Sequence, residues 1–474
     1  MSRKAVSLAN WFYDVLSFVV LSCLFLSNVK SQGLRPPAAP INLNYLRFDF
    51  ITPGARASSL GGAFIGAAQD ETAAAINPAG LTYLSSAGAS LHQRNARKSF
   101  QEPEGSPEFP NSKTEFSNTD FNQSMVSAFF PLKKLTVAIY HQVLLDSRFS
   151  FETQQFFTFS SVPTTRQLLG GLGNFPGKRT TVDVEMINDG ISIAYPVSNR
   201  LSLGITGRTA ILRFNLNEEK FLDMQIIDNR PPRGNSAATT FSLTTIDKVD
   251  VKLGFSAGVM YKLIKSKLFV GAVYHHNPTF NLDSHIFFPK VTVQSQTDTF
   301  TLDAFAPENT TFKLAIPDKF GAGLYYVADK RLRFIFDLTR VTYSDLLSGN
   351  RRNISADDEV NPQTRVYEDP DGQPDLTISD ITEIHAGIEY LFKIPRFGLI
   401  PIRFGVYSDP AHQIHAIKND PDLRRLFPKG DDRVHVTFGA GFVLNSFLKF
   451  DASIDLAKDR FEILGSALLS VPFN

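Results

Sequence analysis

The sequence is almost without cysteine, and that absence removes several kinds of site at once. Its single cysteine, Cys23, lies in an apolar run near the N-terminus, so the chain after residue 31 has none. Disulfides, thiolate metal sites and cysteine nucleophiles are thereby excluded from that part of the chain. A disulfide-stabilised secreted scaffold is therefore not a possible interpretation.

An excess of charge of one sign is missing as well. Lysine and arginine number 48 and aspartate and glutamate 47, which gives a net charge of +1 without any basic stripe. Nucleic-acid-binding proteins concentrate positive charge, so nucleic acid is not an expected partner. Neither H-E-x-x-H nor a complete P-loop occurs, and we predict no cofactor and no metal.

The N-terminus carries the features of an export signal. Arg3 and Lys4 precede the apolar run 15–26, and small residues at Val29 and Ser31 predict cleavage before residue 32. The run is too short for a membrane helix, which takes about 20 residues. Residues 1–31 are therefore predicted to be a cleaved signal peptide. A lipoprotein signal at Cys23 is a weaker alternative, because apolar residues continue past it.

Long hydrophobic runs are absent after residue 31, whereas alternation with a period of two dominates from residue 91 onward. Residues 201–206, 434–442 and 448–456 show apolar residues on one face and small, polar or charged residues on the other. Such strands belong either to a soluble sandwich or to a membrane barrel. The export signal favours the barrel. Short turns such as 444–447 and long polar connections at 98–119, 218–247 and 346–379 also favour it.

Fourteen strands are predicted, which is an even number, as a closed antiparallel barrel requires. Their spans are 86–97, 120–131, 135–151, 180–197, 200–217, 248–263, 266–283, 309–328, 331–345, 380–392, 399–408, 433–443, 446–457 and 461–473. The last strand reaches almost to the C-terminus and can close the sheet against the first. We therefore predict an all-β fold, a 14-stranded antiparallel transmembrane β-barrel over residues 86–474.

Residues 32–85 have a different composition. After a proline-rich start, residues 54–72 are dense in glycine and alanine, and 73–81 form a short helical stretch that ends at Asn77-Pro78. This segment has too few large side chains to build an independent core. Its glycine and alanine residues do allow the backbone to pack closely against another surface. We predict a small helical plug in the lumen. A flexible linker is the alternative, against which Ile65 and Ile76 speak.

The segment Gly54–Leu81, GARASSLGGAFIGAAQDETAAAINPAGL, resembles the N-terminal hatch of the FadL family of outer-membrane transporters for hydrophobic compounds. Residues 316–326, 337–339, 385–390 and 432–442 resemble later strands of that family. The resemblance implies a fourteen-stranded barrel in the outer membrane with the hatch in its lumen. It further implies passive uptake of long-chain fatty acids or aromatic hydrocarbons. A plug or gating role is carried over to Asn77, Pro78 and Ala79.

One departure from the family concerns its lateral opening, which is associated with a glycine kink in the third strand. Residues 135–143 of this chain contain no glycine. Independently of the family, the apolar segments 156–159 and 168–173 lie in a predicted extracellular loop, where they would form either a hydrophobic entry pocket or a membrane-interface belt. The two interpretations carry about equal weight.

Parity along the strands places several charges in the lumen: Arg208, Arg333, Asp337, Arg403, His435, Lys449, Asp451 and Asp455. Arg208, Arg333, Arg403, His435 and Lys449 are candidates for contact with a substrate carboxylate through charge-assisted bonds. A structural ion-pair network is the alternative, and for any single residue it is favoured.

Residues 254–258 read Gly-Phe-Ser-Ala-Gly and match the G-x-S-x-G motif of serine hydrolases. That motif needs a strand, a sharp turn and a helix, whereas here it lies within a strand, so we interpret it as a coincidence. A serine esterase at Ser256 fails if no histidine lies within hydrogen-bond reach. His275 and His276, at the end of a strand, are interpreted as surface residues.

The sequence therefore predicts a non-enzymatic outer-membrane transport protein for hydrophobic small molecules. Its expected surroundings are membrane lipid and lipopolysaccharide, its insertion is expected to need the barrel-assembly machinery, and it is expected to be a monomer. The rival is an interaction platform like the PorV component of type IX secretion, which shares a related hatch. A continuous apolar interior would favour transport, and a lumen packed shut beneath apolar loops would favour the platform.

Overall fold

The structure is a computed structural model, and it describes a defined part of the chain. The described residues are 48–103, 113–153, 156–158, 173–175, 177–222, 239–294, 299–302, 305–347, 359–360, 367–368, 376–394, 398–417, 424, 427–444 and 447–471. The predicted signal peptide and its cleavage site lie outside them. No helix in these ranges is long and apolar enough to cross a membrane.

Sixteen strands form the main sheet. They are β1 Ala87–Pro103, β2 Lys113–Leu132, β3 Leu135–Thr153, β4 Gly177–Pro196, β5 Leu201–Leu222, β6 Thr239–Ile264, β7 Leu268–His276, β8 Thr279–Phe288, β9 Phe305–Ala315, β10 Lys319–Val327, β11 Leu332–Val341, β12 Ile381–Ile394, β13 Gly398–Asp409, β14 Arg433–Leu444, β15 Leu448–Ala457 and β16 Arg460–Val471. Fourteen of them close a ring of antiparallel neighbours in which β1 pairs with β16 and β6 pairs with both β5 and β7. The hairpin β8–β9 continues β7 and β10 outward. The predicted 14-stranded barrel is confirmed.

The remaining elements are short. Helix α1 is Ala55–Ser59, helix α2 is Ala73–Ile76, and 3-10 helices span Pro78–Tyr83 and Tyr343–Leu347. Small two-stranded ladders join Phe156–Thr158 to Gly173–Phe175, Val291–Gln294 to Thr299–Leu302, Glu359–Val360 to Tyr367–Glu368 and Leu376–Thr377 to His415–Ala416. Of the apolar segments 156–159 and 168–173 expected in an extracellular loop, residues 159 and 168–172 lie outside the described residues.

Two of the predicted loops are strand in their described parts. Residues 98–103 and 113–119, expected in a polar connection, continue β1 and β2 and pair from Lys98 with Asn118 to Pro103 with Lys113. Residues 218–222 and 239–247 likewise belong to β5 and β6. The alternation there is hidden because polar residues occupy both faces: Glu218, Ser242 and Thr244 are buried on the inner face, and Glu115 and Asp247 are exposed on the outer face.

The two faces of β4 exchange character along its length. Towards the short-turn end, Ile191 and Ile193 are exposed on the outer face, and polar Asn188 and Ser192 are buried inside. Towards the long-loop end, the outer face carries Arg179 and Asp183, and the inner face carries Val182, Val184 and Met186. Strand β5 shows the same exchange. Ile205 is exposed on its outer face near the short-turn end, and Leu212 and Phe214 are buried on its inner face near the long-loop end. The outer apolar band marks the part that faces lipid.

The inward apolar side chains of the long-loop half form one cluster, here called the upper apolar cluster. Its members include Val182, Val184, Met186, Leu212, Phe214, Leu216, Ile246, Phe280, Leu282, Phe312, Leu314, Tyr343 and Leu346. The outer face of the hairpin β8–β9 is mostly polar, because Asn281, Asp283 and Lys313 alternate with these buried residues, and Phe287 is its exposed apolar residue among those described. In the long-loop half the interior of the barrel is thus apolar and the exterior is polar, the reverse of the membrane-spanning half.

Candidate functional site

The hatch, residues 54–85, fills the short-turn half of the lumen and is held there mainly by hydrogen bonds from its backbone. The fully buried Asn77 is the centre of this contact. Its side-chain amide donates to the carbonyls of Ile65 (3.1 Å) and Val259 (3.3 Å), and its Oδ1 accepts from the Ala79 N–H at the start of the 3-10 helix. Asn77 thereby connects two hatch segments to the wall strand β6.

Pro78 and Ala79 lie against wall positions that have no side chain. A Cβ on Gly204 would lie 2.3 Å from the Ala79 nitrogen, and one on Gly258 would lie 2.1 Å from Oδ1 of Asn77. Such a distance is far inside van der Waals contact, so only glycine permits the hatch to approach β5 and β6 so closely. The three hatch residues carried over from the family resemblance thus lie directly against the wall, as Leu60 and Gly61 do against Gly405.

On the opposite wall, Asp337 and His385 bind the turn that follows α1. The Asp337 carboxylate accepts the N–H groups of Phe64 (2.5 Å) and Ile65 (2.6 Å), and His385 Nδ1 lies 2.7 Å from the Gly61 carbonyl. A buried carboxylate that accepts backbone N–H groups makes strong, charge-assisted bonds. These contacts hold the hatch backbone to β11 and β12.

An ion-pair network connects the hatch to the wall through Glu389. This carboxylate accepts from Arg56 of the hatch (3.3 Å), from Arg333 (2.5 Å) and from Arg403 (2.8 Å). Arg56 also pairs with Asp70 of the hatch at 3.1 Å. Buried charges are tolerated only when they are paired in this way, so the hatch and the wall neutralise each other.

The next acidic residue of the hatch, Glu71, has no such pairing. Burial and the neighbouring Asp70 raise the pKa of Glu71 to about 7, and Lys449 opposes the rise. Burial also acts to raise the pKa of Asp70, but Lys449 and Arg56 hold it below its usual value. The pKa values of the two adjacent carboxylates are thus shifted in opposite directions, because Lys449 acts on both but only Asp70 also pairs with Arg56.

The segment that leads into the hatch is held at two points. Asp49 pairs with Arg433 (2.8 Å) and His412 (3.2 Å), and the Ile51 N–H donates to the Leu144 carbonyl of β3 (2.9 Å). Burial favours a neutral imidazole, but Asp409 and Asp49 raise the pKa of His412 to about 10. Arg433 contacts the carboxylates of both Asp49 and Asp409, so the two aspartates, His412 and Arg433 form an ion-pair cluster.

Between this segment, the hatch and the upper apolar cluster lies a cavity of about 140 Å³. Apolar residues such as Phe50, Ile65 and Val273 line part of it, and two cations, Arg208 and Lys319, also line it. Among the described residues neither cation has a carboxylate within ion-pair distance. Lys319 lies over the Phe50 ring at 3.7 Å. Glu383 also lines the cavity but is bonded to His385.

The five predicted substrate-contact residues fall into two groups. Arg208 lines the cavity, where it donates to Ser256 Oγ (2.5 Å), the His276 carbonyl (2.8 Å) and Asn277 Oδ1 (2.9 Å). The other four face the lumen as predicted but are occupied by acidic partners: Arg333 and Arg403 by Glu389, Lys449 by Asp451 at 2.9 Å, and His435 by Asp455 at 2.9 Å. Lys319 was not among the residues predicted from the sequence, although the predicted strand 309–328 contains it.

The comparisons with known proteins agree with this geometry. The family described as "Outer membrane protein transport protein (OMPP1/FadL/TodX)" matches residues 50–460, which includes the hatch and almost the whole barrel. The chain belongs to this family. It is an outer-membrane transport protein, and the match covers the hatch as well as the strands.

Solved structures share the fold at low sequence identity. A FadL homologue of Pseudomonas aeruginosa has a TM-score of 0.57 at 16% identity, covering 90% of this chain and 100% of that one. The CymD monoaromatic hydrocarbon channel scores 0.53 at 13% (90% and 99% covered), and the Ralstonia pickettii toluene transporter TbuX 0.51 at 13% (90% and 100%). No curated protein sequence matches the chain significantly.

The third strand of this FadL-family chain has a bulge in place of the glycine kink. Leu144 is skipped in the pairing of β3 with β4, directly after the glycine-free stretch 135–143. A second irregularity, beside Ser124, interrupts β2. Pairing of β2 with β3 ends at Met125 and Gln142, so the two strands separate towards the long-loop end. A β-bulge bends a strand locally, as a glycine kink does.

Ser256 has a histidine within hydrogen-bond reach, although its G-x-S-x-G motif was interpreted as a coincidence. Its Oγ lies 2.7 Å from His275 Nδ1, and His275, expected on the surface, lines the cavity instead. Yet residues 254–258 lie in the uninterrupted strand β6, and no carboxylate among the described residues is bonded to His275. The strained turn of a nucleophile elbow is thus missing, and the Ser256 hydroxyl is bound by Arg208. The family is one of transport proteins.

Proposed function

We propose that the chain carries hydrophobic molecules passively across the outer membrane through its interior, with long-chain fatty acids and aromatic hydrocarbons as the substrate classes. The observation that supports this most directly is the reversal of the two faces above the membrane-spanning band. Val184, Leu212 and Phe214 are buried inside strands whose outer faces are polar. A hydrophobic solute that enters there exchanges water for apolar contacts before it meets the membrane, which lowers its free energy.

The cavity beneath the upper apolar cluster is proposed as the site for the polar end of the substrate. Arg208 and Lys319 supply two cations without carboxylate partners, and the cluster above supplies a surface for a hydrocarbon tail. Arg208 is buried and has no carboxylate within ion-pair distance among the described residues, which is unfavourable, so a substrate carboxylate would complete the site. An aromatic hydrocarbon would occupy the same cavity through apolar contacts alone. A cavity of similar volume in another protein holds a benzene molecule.

The hatch is proposed as the gate. Asn77, Pro78 and Ala79 are in contact with wall glycines that leave no space between hatch and barrel, so passage towards the periplasm needs these contacts to change. No nucleotide-binding or ion-coupling motif occurs in the sequence, and we expect transport to follow the concentration gradient. We also propose that the chain works as a monomer, inserted by the barrel-assembly machinery and surrounded by lipid and lipopolysaccharide.

The similar structures named for toluene and monoaromatic hydrocarbon transport support transport over the platform alternative. The proposal is tested by calorimetric binding of oleate and of toluene to the purified barrel and to its Lys319→Met variant. We expect oleate affinity to fall at least ten-fold and toluene affinity to stay within two-fold, because a charge-assisted bond is lost only for the carboxylate. Lys265→Met, at an exposed lysine of a short turn, is the matched control. Absence of binding by either compound would favour the platform.

A further inference from the structure

The outer surface of the barrel carries a groove across strands β6, β7, β10 and β11, here called the outer groove. Its volume is about 560 Å³. Small outward residues form its middle, where Ala272 lies opposite Ala322, and Ala322 in turn lies opposite Leu338. Arg340 and Thr382, which are paired across β11 and β12, line its polar end. The groove thus combines an apolar length with one charged end.

The groove exists because the wall is only one backbone thick at this place. Gly258 and Gly321 also line it, and neither has a side chain. On the inner side, a Cβ on Gly258 would lie 2.1 Å from Asn77 Oδ1, and one on Gly321 would lie 2.3 Å from Ile65 Cδ1. The hatch therefore fills the space inside these strands, whereas the small outward residues leave the space outside open. A chain that lies in the groove gains dispersion contacts with the wall.

The outer groove lies in the part of the surface that faces lipid. Phe320 and Leu338 border it and are 49% and 43% exposed, and the Phe320 ring stacks on Tyr274 at 4.5 Å. A hydrocarbon chain is the occupant that suits such a lining. The surrounding lipid is as apolar as the groove, so the apolar part alone does not select one lipid over another. Selection must therefore come from the polar end.

Arg340 supplies a cation at that end. Its guanidinium donates to Thr382 Oγ1 (3.2 Å) and lies 3.4 Å from the Asp380 carboxylate, and half of its side chain is exposed. An exposed pair of this kind is weak, whereas arginine binds phosphate strongly through two parallel hydrogen bonds. Strand β11 rises from the short turn that precedes Leu332 and ends at Val341, so Arg340 lies at its long-loop end. The cation is therefore on the extracellular side of the lipid-facing band.

We propose that the outer groove binds one molecule of lipopolysaccharide, with an acyl chain along the alanines and a phosphate group on Arg340. Lipopolysaccharide is the phosphorylated lipid of the outer leaflet, which is the leaflet that Arg340 reaches. A second copy of the chain suits the groove less well. Packed over it, that copy would remove the pair of Arg340 and Asp380 from water, which costs free energy. The inference goes beyond the proposed function and does not depend on transport.

Native mass spectrometry of the barrel, released from outer membranes in mild detergent, tests the proposal because it counts bound lipid and identifies it by mass. Ala322→Phe fills the outer groove, and Arg340→Gln removes its cation. The matched controls are Ala452→Phe, at an exposed outward alanine of β15, and Arg213→Gln, at an outer arginine of equal exposure that pairs with Glu185. Heat-modifiable gel mobility checks that each variant is folded.

We expect the unmodified protein to carry one lipopolysaccharide molecule. Ala322→Phe and Arg340→Gln should each lower the fraction of barrels that carry it at least five-fold, and both controls should stay within 1.5-fold. A bound species with the mass of a phospholipid, a dimer in place of the lipid complex, or a barrel without bound lipid overturns the proposal. An equal loss in a variant and its control overturns it as well.

A second measurement tests the contact between Arg340 and the phosphate. Lipid A, and lipid A from which the phosphates have been removed, are titrated into the delipidated barrel. We expect loss of the phosphates to weaken binding at least ten-fold in the unmodified protein but less than three-fold in Arg340→Gln, because two changes that remove the same contact are not additive. An equal weakening in both proteins would place the phosphate away from Arg340 and overturn the proposal.

Discussion

Glu389→Gln should release the hatch from the wall, because Glu389 is the shared counter-charge of three arginines. Its side chain is 2% exposed and accepts from Arg56, Arg333 and Arg403. The variant removes the charge at almost constant volume, and breaking a buried pair costs about 3–5 kcal/mol. Arg56 and Arg403 keep Asp70 and Asp451, so we expect the lower end, about 3 kcal/mol for docking of the hatch.

The assay uses Ala74→Cys as a reporter. Ala74 is 1% exposed, and its carbonyl accepts from Ser192 Oγ at 2.8 Å, so a maleimide reaches a cysteine there only when the hatch leaves the wall. A loss of about 3 kcal/mol corresponds to roughly 150-fold faster labelling when opening is a rapid equilibrium. Heat-modifiable gel mobility checks that the barrel itself is folded.

The control for this variant makes the same chemical change where it should not matter. Glu152→Gln removes a carboxylate that pairs with Arg179 on the exposed outer face, and exposed pairs contribute about 0–1 kcal/mol. The labelling rate of the Ala74→Cys reporter should then change less than about three-fold, because this surface pair does not contact the hatch. If Glu389→Gln also changes the rate less than three-fold, the ion-pair network does not hold the hatch, and the reasoning is refuted.

Three further predictions concern the hatch and the cavity. Gly204→Ala should speed labelling of the reporter at least ten-fold, because the new methyl collides with the hatch backbone, whereas Gly207→Ala on the same strand meets nothing within 4 Å and should be silent. Burial raises the pKa of Glu71 to about 7, so docking of the hatch loses stability as the pH rises from the ordinary glutamate pKa towards 7. Because maleimide reacts with the thiolate, the labelling rate is divided by the rate of a free thiol at the same pH; this ratio should rise at least ten-fold between pH 5 and pH 8 and stay level in Glu71→Gln. Ser256 should not react with a fluorophosphonate, since the described residues give His275 no carboxylate, and stoichiometric labelling would restore the hydrolase hypothesis.

The barrel was predictable from the sequence because lipid imposes a simple rule on each strand. Outward apolar residues alternate with inward small or polar ones, and each of the fourteen predicted spans overlaps a strand of the ring, although 266–283 and 309–328 are interrupted at 277–278 and 316–318. The plug was predictable for a related reason, since glycine and alanine at 54–72 suit only close packing against another surface. The lumen position of the charges also followed from parity.

The rule fails above the membrane, and the upper apolar cluster was missed for that reason. Between Met186 and Ile191 the apolar residues of β4 change parity, and β5 changes likewise between Leu212 and Ile205. A change of parity within one strand is a signal that the outer solvent changes from lipid to water, and it is visible in the sequence once it is sought. The cavity was not visible, because Arg208 and Lys319 come together only through the closure of the ring.

The most direct test of the central claim is the initial rate of labelled oleate uptake by cells whose own channel for hydrophobic compounds has been removed. Expression of this chain should raise the rate saturably. Leu212→Asp, which places a charge in the upper apolar cluster, should abolish most of the gain, and Asn215→Asp, on the outer face of the same strand, should leave it intact. An uptake no greater than that of cells without the chain, or an equal loss in both variants, would contradict transport through the interior.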